Sequence, residues 1–167
     1  MNTFALFSEK ALRLVRLNGQ WSFILPNTIL TNYYLRNLRK WILINFHLRQ
    51  FIDLRFRVFD EAEIGGNALI FVELKTQEFS TLTTSFAVAN SVDEFLSYSL
   101  IDSSQSAFLN MPDNKFLADP FMIDLFIRVQ KNSTTLGKIA RIYQGIITGN
   151  NKKFIAKRKL TPKHKKI

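Results

Sequence analysis

The residues WSFIL at positions 21–25, closed by Pro26, decide the fold of this chain. They form a short unbroken apolar run, which is typical of a strand that is buried on both faces of a parallel sheet. Asn18 and Gly19, directly before the run, tolerate the left-handed backbone in which many helices stop. The sequence therefore predicts a helix, a tight stop and then a buried strand.

Apolar residues recur at helical spacing on both sides of this strand. Before it, they predict a first helix that ends near Leu17, with a stripe at Phe4, Phe7, Ala11, Leu14 and Val15. After it, residues 32–45 carry a second stripe at Leu35, Leu38 and Ile42, surrounded by Arg36, Arg39 and Lys40. This pattern predicts a surface helix that covers a sheet.

Two further strands follow at residues 48–54 and 67–74, separated by a loop that holds Asp60, Glu61, Glu63, Gly65 and Gly66. We expect them to pair antiparallel. The order of elements is that of an α/β sheet whose parallel strands end in a reversed edge strand. The predicted fold class is therefore α/β, the distal part of such a sheet, with its opening strands supplied from elsewhere.

The sequence beyond Lys75 has clear signals only at helix starts. Ser91-Val92-Asp93-Glu94 is a capping box that predicts a helix near residues 92–99, and Asp119-Pro120 predicts one near 120–130. The stretch between them is rich in turn residues and is expected to be connecting loops. Residues 138–147 are expected to be β-rich, so we predict domains at 1–135 and 136–167.

Positive charge is concentrated at the carboxyl end. The net charge is +10, yet residues 137–167 hold ten Lys/Arg and no Asp/Glu, which leaves thirteen of each sign in residues 1–136. Such a basic end favours a polyanionic partner, although residues 157–167 also fit a solvated, disordered tail. Cysteine is absent, and the first ten residues do not form a basic leader before an apolar block, so we expect a cytoplasmic protein.

Several segments together resemble gamma-class N6-adenine DNA methyltransferases of restriction-modification type that carry a TaqI-like specificity domain. The similarity covers about residues 2–75 and 136–156. It is carried by FSEKAL at 7–12, GQWSFILPN at 19–27, LR at 38–39, FID at 51–53, VF at 58–59, NALI at 67–70, and GIITGNN at 145–151 with Phe154.

The resemblance implies S-adenosylmethionine as cofactor, duplex DNA as substrate and a class I methyltransferase sheet followed by the start of a β-rich specificity domain. Two family motifs have no counterpart in this sequence: the glycine-containing cofactor loop and the catalytic Asn/Asp-Pro-Pro-Tyr/Phe motif. Without them the reacting groups are not positioned, so this chain alone is not expected to methylate DNA. We expect it to aggregate, to oligomerise or to need a second chain that carries the first half.

Matching positions give candidate site residues. By resemblance, Asn2 and Phe7 line the cofactor pocket, and Phe59 offers its ring to a flipped adenine, which would restore stacking worth about 1–3 kcal/mol. Phe7 also fits plain core packing, and Phe59 fits a plug at the base of its loop. The recognition domain would begin with a turn and two lysines at Thr148, Gly149, Asn150, Asn151, Lys152 and Lys153. The turn at residues 148–151 also fits a role in shaping the backbone without contact to bases.

Two alternatives use other residues. Asp60, Glu73 and Lys75 have the spacing of a metal-dependent nuclease core, in which the carboxylates bind magnesium. A non-catalytic nucleic-acid-binding module is favoured by the basic end with Tyr143 and Phe154. If that end meets about four phosphates, the logarithm of affinity should fall with the logarithm of salt concentration at a slope near 3.6.

Overall fold

A computed structural model describes residues 3–59, 66–74 and 81–143. The chain divides into two compact units, Met1–Ser133 and Thr134–Ile167. Within the described residues, no helix combines the length and the apolar character needed to cross a membrane.

Among its described residues, the first unit contains six helices and five strands. Short 3-10 turns at Tyr33–Leu35 and Pro112–Asn114 supplement them. In chain order the elements are α1 Thr3–Leu12, β1 Gln20–Pro26, α2 Thr28–Thr31, α3 Arg36–Asn45, β2 Phe46–Leu54, β3 Asn67–Leu74, β4 Thr83–Ala89, α4 Val92–Leu96, β5 Ile101–Ser104, α5 Gln105–Asn110 and α6 Pro120–Asn132.

The strands form one mixed sheet in the order β1-β3-β2-β4-β5. The predicted antiparallel pairing of β2 with β3 is confirmed, with Phe51 opposite Ile70. The prediction that the reversed strand lies at the edge is wrong, because β3 lies between β1 and β2 and is antiparallel to both. Of the described strands, only β2 and β4 pair in parallel, so the sheet is mostly antiparallel.

Strand β1 differs from the fully buried strand that its composition predicts. It pairs with β3 alone among the described strands, and it therefore lies at an edge of the sheet. Trp21 and Leu25 are buried, whereas Ser22 and Phe23 are exposed. Strand β1 is thus an edge strand, and its outer side has no neighbour among the described residues.

The main core lies on one face of the sheet, under the helices. Four fully buried phenylalanines form its centre, and the ring centroids in five of their six pairs are 5.5–6.2 Å apart. These residues are Phe51 of β2, Phe86 of β4, Phe108 of α5 and Phe116. Burying each such ring contributes about 1.5–3 kcal/mol to stability.

A smaller cluster on the opposite face of the sheet contains Ile52, Leu54, Ala87 and Ala89.

The helices confirm some predictions and correct others. The helices predicted from Ser91 and Asp119 are present, and each of these side chains accepts a main-chain N–H of its helix. Helix α1 ends at Leu12 rather than near Leu17, although Asn18 adopts the predicted left-handed backbone with φ 59°. The predicted loops between residues 99 and 120 instead contain β5 and α5, because Ser104 ends the strand and caps the helix.

The second unit is described over residues 134–143. It contains the short helix α7, Leu136–Ile139, followed by residues without regular structure. The prediction of a β-rich segment from residue 138 is therefore wrong for 138–143, where two isoleucines suggested a strand that the backbone does not form. Residues 144–147 lie outside the described residues.

Candidate functional site

Three strands end at one edge of the sheet. Because β3 is antiparallel to β1 and β2, and β2 is parallel to β4, the strands β1, β2 and β4 all point the same way. They end at Pro26, Leu54 and Ala89, respectively. In open α/β sheets, ligands bind outside the carboxyl ends of such strands. This edge is therefore the candidate functional site.

The segments at this edge are packed closely at Gly66. The main-chain N–H of Asn27 donates to the carbonyl oxygen of Gly66 at 3.0 Å. A Cβ atom added at Gly66 would lie 2.6 Å from the carbonyl oxygen of Leu54 and 2.7 Å from Nδ2 of Asn27. Only glycine fits, so the ends of β1 and β2 and the start of β3 are fixed against one another.

The segment after β2 is anchored before it reaches Phe59. The main-chain N–H of Arg55 donates to the carbonyl oxygen of Ala89 at 2.8 Å, which ties the segment to the end of β4. The ring of Phe56 lies 6.5 Å from that of Phe95 in α4. Beyond this anchor, Phe59 is 48% exposed, and its carbonyl oxygen accepts a hydrogen bond from Nε of Arg57 at 3.1 Å. Its ring is therefore accessible from solvent.

Phe7 lies elsewhere, beside the middle of β1. Its side chain is 59% exposed, and its ring centroid is 5.6 Å from that of Phe23. Phe23 in turn stacks on Trp21 at 5.6 Å with an interplanar angle of 3°. Phe7 is thus not a buried core residue but the outer member of an aromatic row along the edge strand.

The structure does not bring every predicted site residue together. Phe59 lies in the segment that follows β2, whereas Phe7 contacts Phe23 in the middle of β1, where Phe23 pairs with Ile70. Asn2 and the predicted DNA-contacting residues 148–153 lie outside the described residues.

Of the three residues that the nuclease alternative requires, the structure describes Glu73. The carboxylate of Glu73 in β3 accepts from Nη1 of Arg49 in β2 at 2.9 Å, so a cation already neutralises it. Asp60 and Lys75 lie outside the described residues. Within residues 3–59, 66–74 and 81–143, no group of three or more His, Asp or Glu side chains is arranged to hold a metal.

Two polar groups at the carboxyl edge were not proposed as site residues from the sequence. Oδ2 of Asp53 accepts from Nε of Arg55 at 2.9 Å, while its buried Oδ1 has no hydrogen-bond partner among the described residues. At the start of α4, Oε2 of Glu94 accepts from the main-chain N–H of Asn90 at 2.7 Å and from its Nδ2 at 2.8 Å. These bonds lower the pKa of the Glu94 carboxyl from its ordinary value. An acid within an apolar strand was the available signal for Asp53.

The described residues fit only part of a pocket for an adenosyl cofactor. An exposed ring such as Phe7, supported by Phe23, is suited to one side of a purine. The sequence has no glycine-containing loop after a first strand to receive the rest of such a molecule. The described residues could therefore form one wall of a pocket for such a cofactor.

Comparisons with known proteins agree with the coarser part of the resemblance. Residues 1–59 match the family described as Eco57I restriction-modification methylase. No curated protein matches the chain. The fold is similar to the crystal structure of a modification subunit of a putative type I restriction enzyme from Vibrio vulnificus YJ016, with a TM-score of 0.50 and 16% sequence identity.

The structural similarity covers 69% of this chain and 30% of that subunit. The chain therefore spans less than a third of the subunit's length, and at this identity the likeness concerns the fold alone. The first 59 residues, which include β1, β2 and Phe59, are similar to a restriction-modification methylase, and the fold that contains them is similar to that of a modification subunit.

Proposed function

We propose that this chain is part of an N6-adenine DNA methyltransferase of a restriction-modification system and that it forms one wall of the active site. The observation that carries the proposal is the edge at which β1, β2 and β4 end, together with an exposed Phe59 in the segment that follows β2. The family match of residues 1–59 covers β1, β2 and this aromatic residue.

Phe59 would receive the target base. An adenine extruded from duplex DNA loses its stacking neighbours, and an exposed ring restores about 1–3 kcal/mol. The proposal is supported by the segment that leads to Phe59, in which Arg55 is hydrogen-bonded to Ala89 at the end of β4 and Phe56 lies beside Phe95 of α4.

S-adenosylmethionine would supply the methyl group. Of this chain's residues, Asn2 and Phe7 would border it. The catalytic Pro-Pro motif and the glycine loop are absent from the sequence, so another polypeptide segment must contribute them. The outer side of β1 is the place for that segment, because an edge strand presents unpaired N–H and C=O groups.

Residues 148–153 would begin the DNA-recognition domain. Thr148 to Asn151 form the turn, and Lys152 and Lys153 add positive charge suited to phosphates. Duplex DNA and a polypeptide that carries the first half of the methyltransferase domain are thus the proposed partners.

A methylation assay tests the proposal. The full chain is incubated with duplex DNA and labelled S-adenosylmethionine, alone and with the polypeptide encoded directly upstream of its gene. Nucleosides are then identified by mass spectrometry. We expect N6-methyladenine from the pair and none from the chain alone. Methylcytosine, or no methylated base from a stable pair, would overturn the proposal.

The role of Phe59 has a separate test. In the active pair, Phe59→Ala should lower kcat/KM about 5- to 150-fold, the equivalent of the lost stacking, and Phe59→Tyr should restore most of it. The fluorescence of 2-aminopurine at the target position reports base extrusion. Phe121→Ala is the matched control, because Phe121 is an exposed phenylalanine on α6. Equal effects of Phe59→Ala and Phe121→Ala would rule out the stacking role proposed for Phe59.

A further inference from the structure

A salt bridge at the carboxyl edge joins Asp53 to Arg55. Nε of Arg55 donates to Oδ2 of Asp53 at 2.9 Å. The side chain of Asp53 is 13% exposed, whereas that of Arg55 is 56% exposed. A largely buried acid at the last but one position of β2 therefore holds a guanidinium group that reaches solvent.

Asp53 has apolar neighbours in three directions. Ala68 of β3 and Val88 of β4 lie opposite it on the two adjoining strands. Phe51, two positions earlier on the same face of β2, is fully buried in the core. None of these side chains can donate a hydrogen bond, and the buried Oδ1 has no partner among the described residues. The carboxylate is therefore fixed by its bond with Arg55.

Arg55 is held by its main chain as well as by its side chain. Its main-chain N–H donates to the carbonyl oxygen of Ala89 at 2.8 Å. A side chain that is fixed in advance loses less conformational entropy when a ligand binds. In the part of the chain that the structure describes, Nη1 and Nη2 of Arg55 have no acceptor. The outer end of the guanidinium group is thus oriented and has free donors.

These donors suit an oxyanion close to Phe59. Two N–H groups of a guanidinium match two oxygens of a phosphate or a carboxylate. Arg55 precedes Phe59 by four residues, which limits the distance between their Cα atoms to about 14 Å. Phe7, which would border the methyl donor, lies instead beside β1, and β3 separates β1 from β2. The position of Arg55 therefore favours the phosphate of a nucleotide at Phe59 over the carboxylate of the methyl donor.

We infer that Arg55, oriented by Asp53, binds the phosphate group of the nucleotide whose base stacks on Phe59. The inference rests on the proposed function and deepens it, since Phe59 would bind the base and Arg55 the phosphate of one extruded nucleotide. Asp53 is a positioning residue that acts through Arg55. The pair places the nucleotide without identifying its base, because phosphate contacts carry no sequence information.

NMR titration of the full chain with deoxyadenosine and with its 5′-monophosphate separates the two contacts. The parent chain should prefer the monophosphate about tenfold, the lower end for a hydrogen bond to a charged group, and the Arg55 Nε–H signal should shift. Arg55→Ala should abolish this preference. Arg49→Ala is the matched control, because the Arg49 side chain is 53% exposed and pairs with Glu73, and it should keep the preference.

Asp53→Asn tests the positioning role, because charge and orientation predict opposite effects. Charge alone predicts that loss of a carboxylate raises the affinity for a phosphate. If Asp53 orients Arg55, the preference for the monophosphate should instead fall about three- to tenfold, because Arg55 must then be ordered on binding. The heteronuclear NOE of the Arg55 Nε–H should fall in the free chain. A preference that is unchanged or larger in Asp53→Asn would overturn the inference.

Three results with the arginine variants would also overturn it: a preference that survives Arg55→Ala, an equal loss in Arg49→Ala, or no saturable binding of the monophosphate to the parent chain. Weaker binding of S-adenosylmethionine by Arg55→Ala, with the nucleotide preference intact, would assign Arg55 to the carboxylate of the methyl donor instead. Phe59→Ala should weaken the binding of both nucleoside and nucleotide equally. Because the chain is tested alone and no methyl group is transferred, failure of the methylation assay does not affect these results.

Discussion

The guanidinium of Arg39 donates from Nη2 to the carbonyl oxygen of Asp113 at 2.8 Å, across 74 positions of sequence. Nε donates to the carbonyl oxygen of Asn114 at 3.0 Å, and Nη1 donates to those of Ile29 and Asn32. Burial lowers the pKa of Arg39 to about 10, an effect that the Asp113 carboxylate partly offsets. The side chain thus stays charged at neutral pH and joins α2 and α3 to the turn at Pro112–Asn114.

Arg39→Met should destabilise the first unit by about 3–5 kcal/mol, because four carbonyl oxygens lose their donor inside the protein. Arg39→Lys should recover only part of this loss, since an ammonium group cannot reproduce the planar fork. Urea denaturation followed by circular dichroism measures both. The control Arg49→Met removes an exposed pair with Glu73 and should cost about 1 kcal/mol or less. If the Arg39→Met variant is as stable as the Arg49→Met control, the hydrogen bonds of Arg39 do not stabilise the first unit as proposed.

A second buried polar side chain, Gln105, holds the irregularity in β2. Its Oε1 accepts from the main-chain N–H of Leu48 at 2.8 Å, next to the register shift between Leu48 and Gln50. Its Nε2 donates to the carbonyl oxygens of Leu43 and Phe46, both at 2.9 Å. Gln105→Leu should therefore cost about 2–4 kcal/mol, measured by thermal unfolding. Gln130→Leu on the exposed side of α6 should cost almost nothing, and a similar loss in both would show that the contacts of Gln105 do not matter.

The elements that could be predicted from the sequence are those that depend on residues close together in the chain. Ser91 and Asp119 mark helix starts because each side chain accepts a hydrogen bond from the main-chain N–H three positions ahead. The β2–β3 pair could be predicted because two strand-like runs flank one loop. The position of β4 beside β2 could not, since a parallel pairing depends on contacts that are distant in sequence.

The burial of Arg39 could not be predicted either, because it depends on contacts that are distant in sequence. Its place among Arg36 and Lys40 on the polar side of a helix predicts exposure, yet it is fully buried. The carbonyl groups that allow its burial come from Asp113 and Asn114, whose backbone has positive φ values of 58° and 53°. For the candidate site, the segment that presents Phe59 was identified by resemblance, and the roles of Phe7, Phe59 and residues 148–153 stay predictions.

The close packing at Gly66 gives a paired test of the carboxyl edge. Gly66→Ala would place a methyl group 2.6 Å from the carbonyl oxygen of Leu54, so we expect a loss of about 1–3 kcal/mol and displacement of the segments at this edge. At Gly137 in α7, an added Cβ meets nothing within 4 Å, and Gly137→Ala should be neutral or slightly stabilising. Differential scanning calorimetry compares the two. Equal shifts in Tm would contradict the described packing.

The start of α4 should respond to pH through Glu94. Its carboxyl pKa is lowered from the ordinary value of 4.5, chiefly by the main-chain N–H of Asn90 and then by its side chain. A lowered folded-state pKa means that the stabilisation is present above the unfolded value and is lost as pH falls through the folded one. Asn90→Ala removes one of the two donors, so NMR titration should find the Glu94 pKa moved upward, toward 4.5. An unchanged pKa would show that the side-chain bond contributes nothing.

The aromatic row beside β1 should make the isolated chain self-associate. Phe7, Phe23 and Trp21 lie along a strand whose outer side has no described partner, and an apolar edge strand promotes pairing between chains. Phe23→Lys places a charge on this edge and should shift the chain toward monomer in sedimentation velocity experiments at several concentrations. Phe121→Lys, an equally drastic change at an exposed ring on α6, should leave association unchanged. A parent chain that stays monomeric at every concentration would show that the edge of β1 is closed and would remove the reason to place a completing polypeptide there.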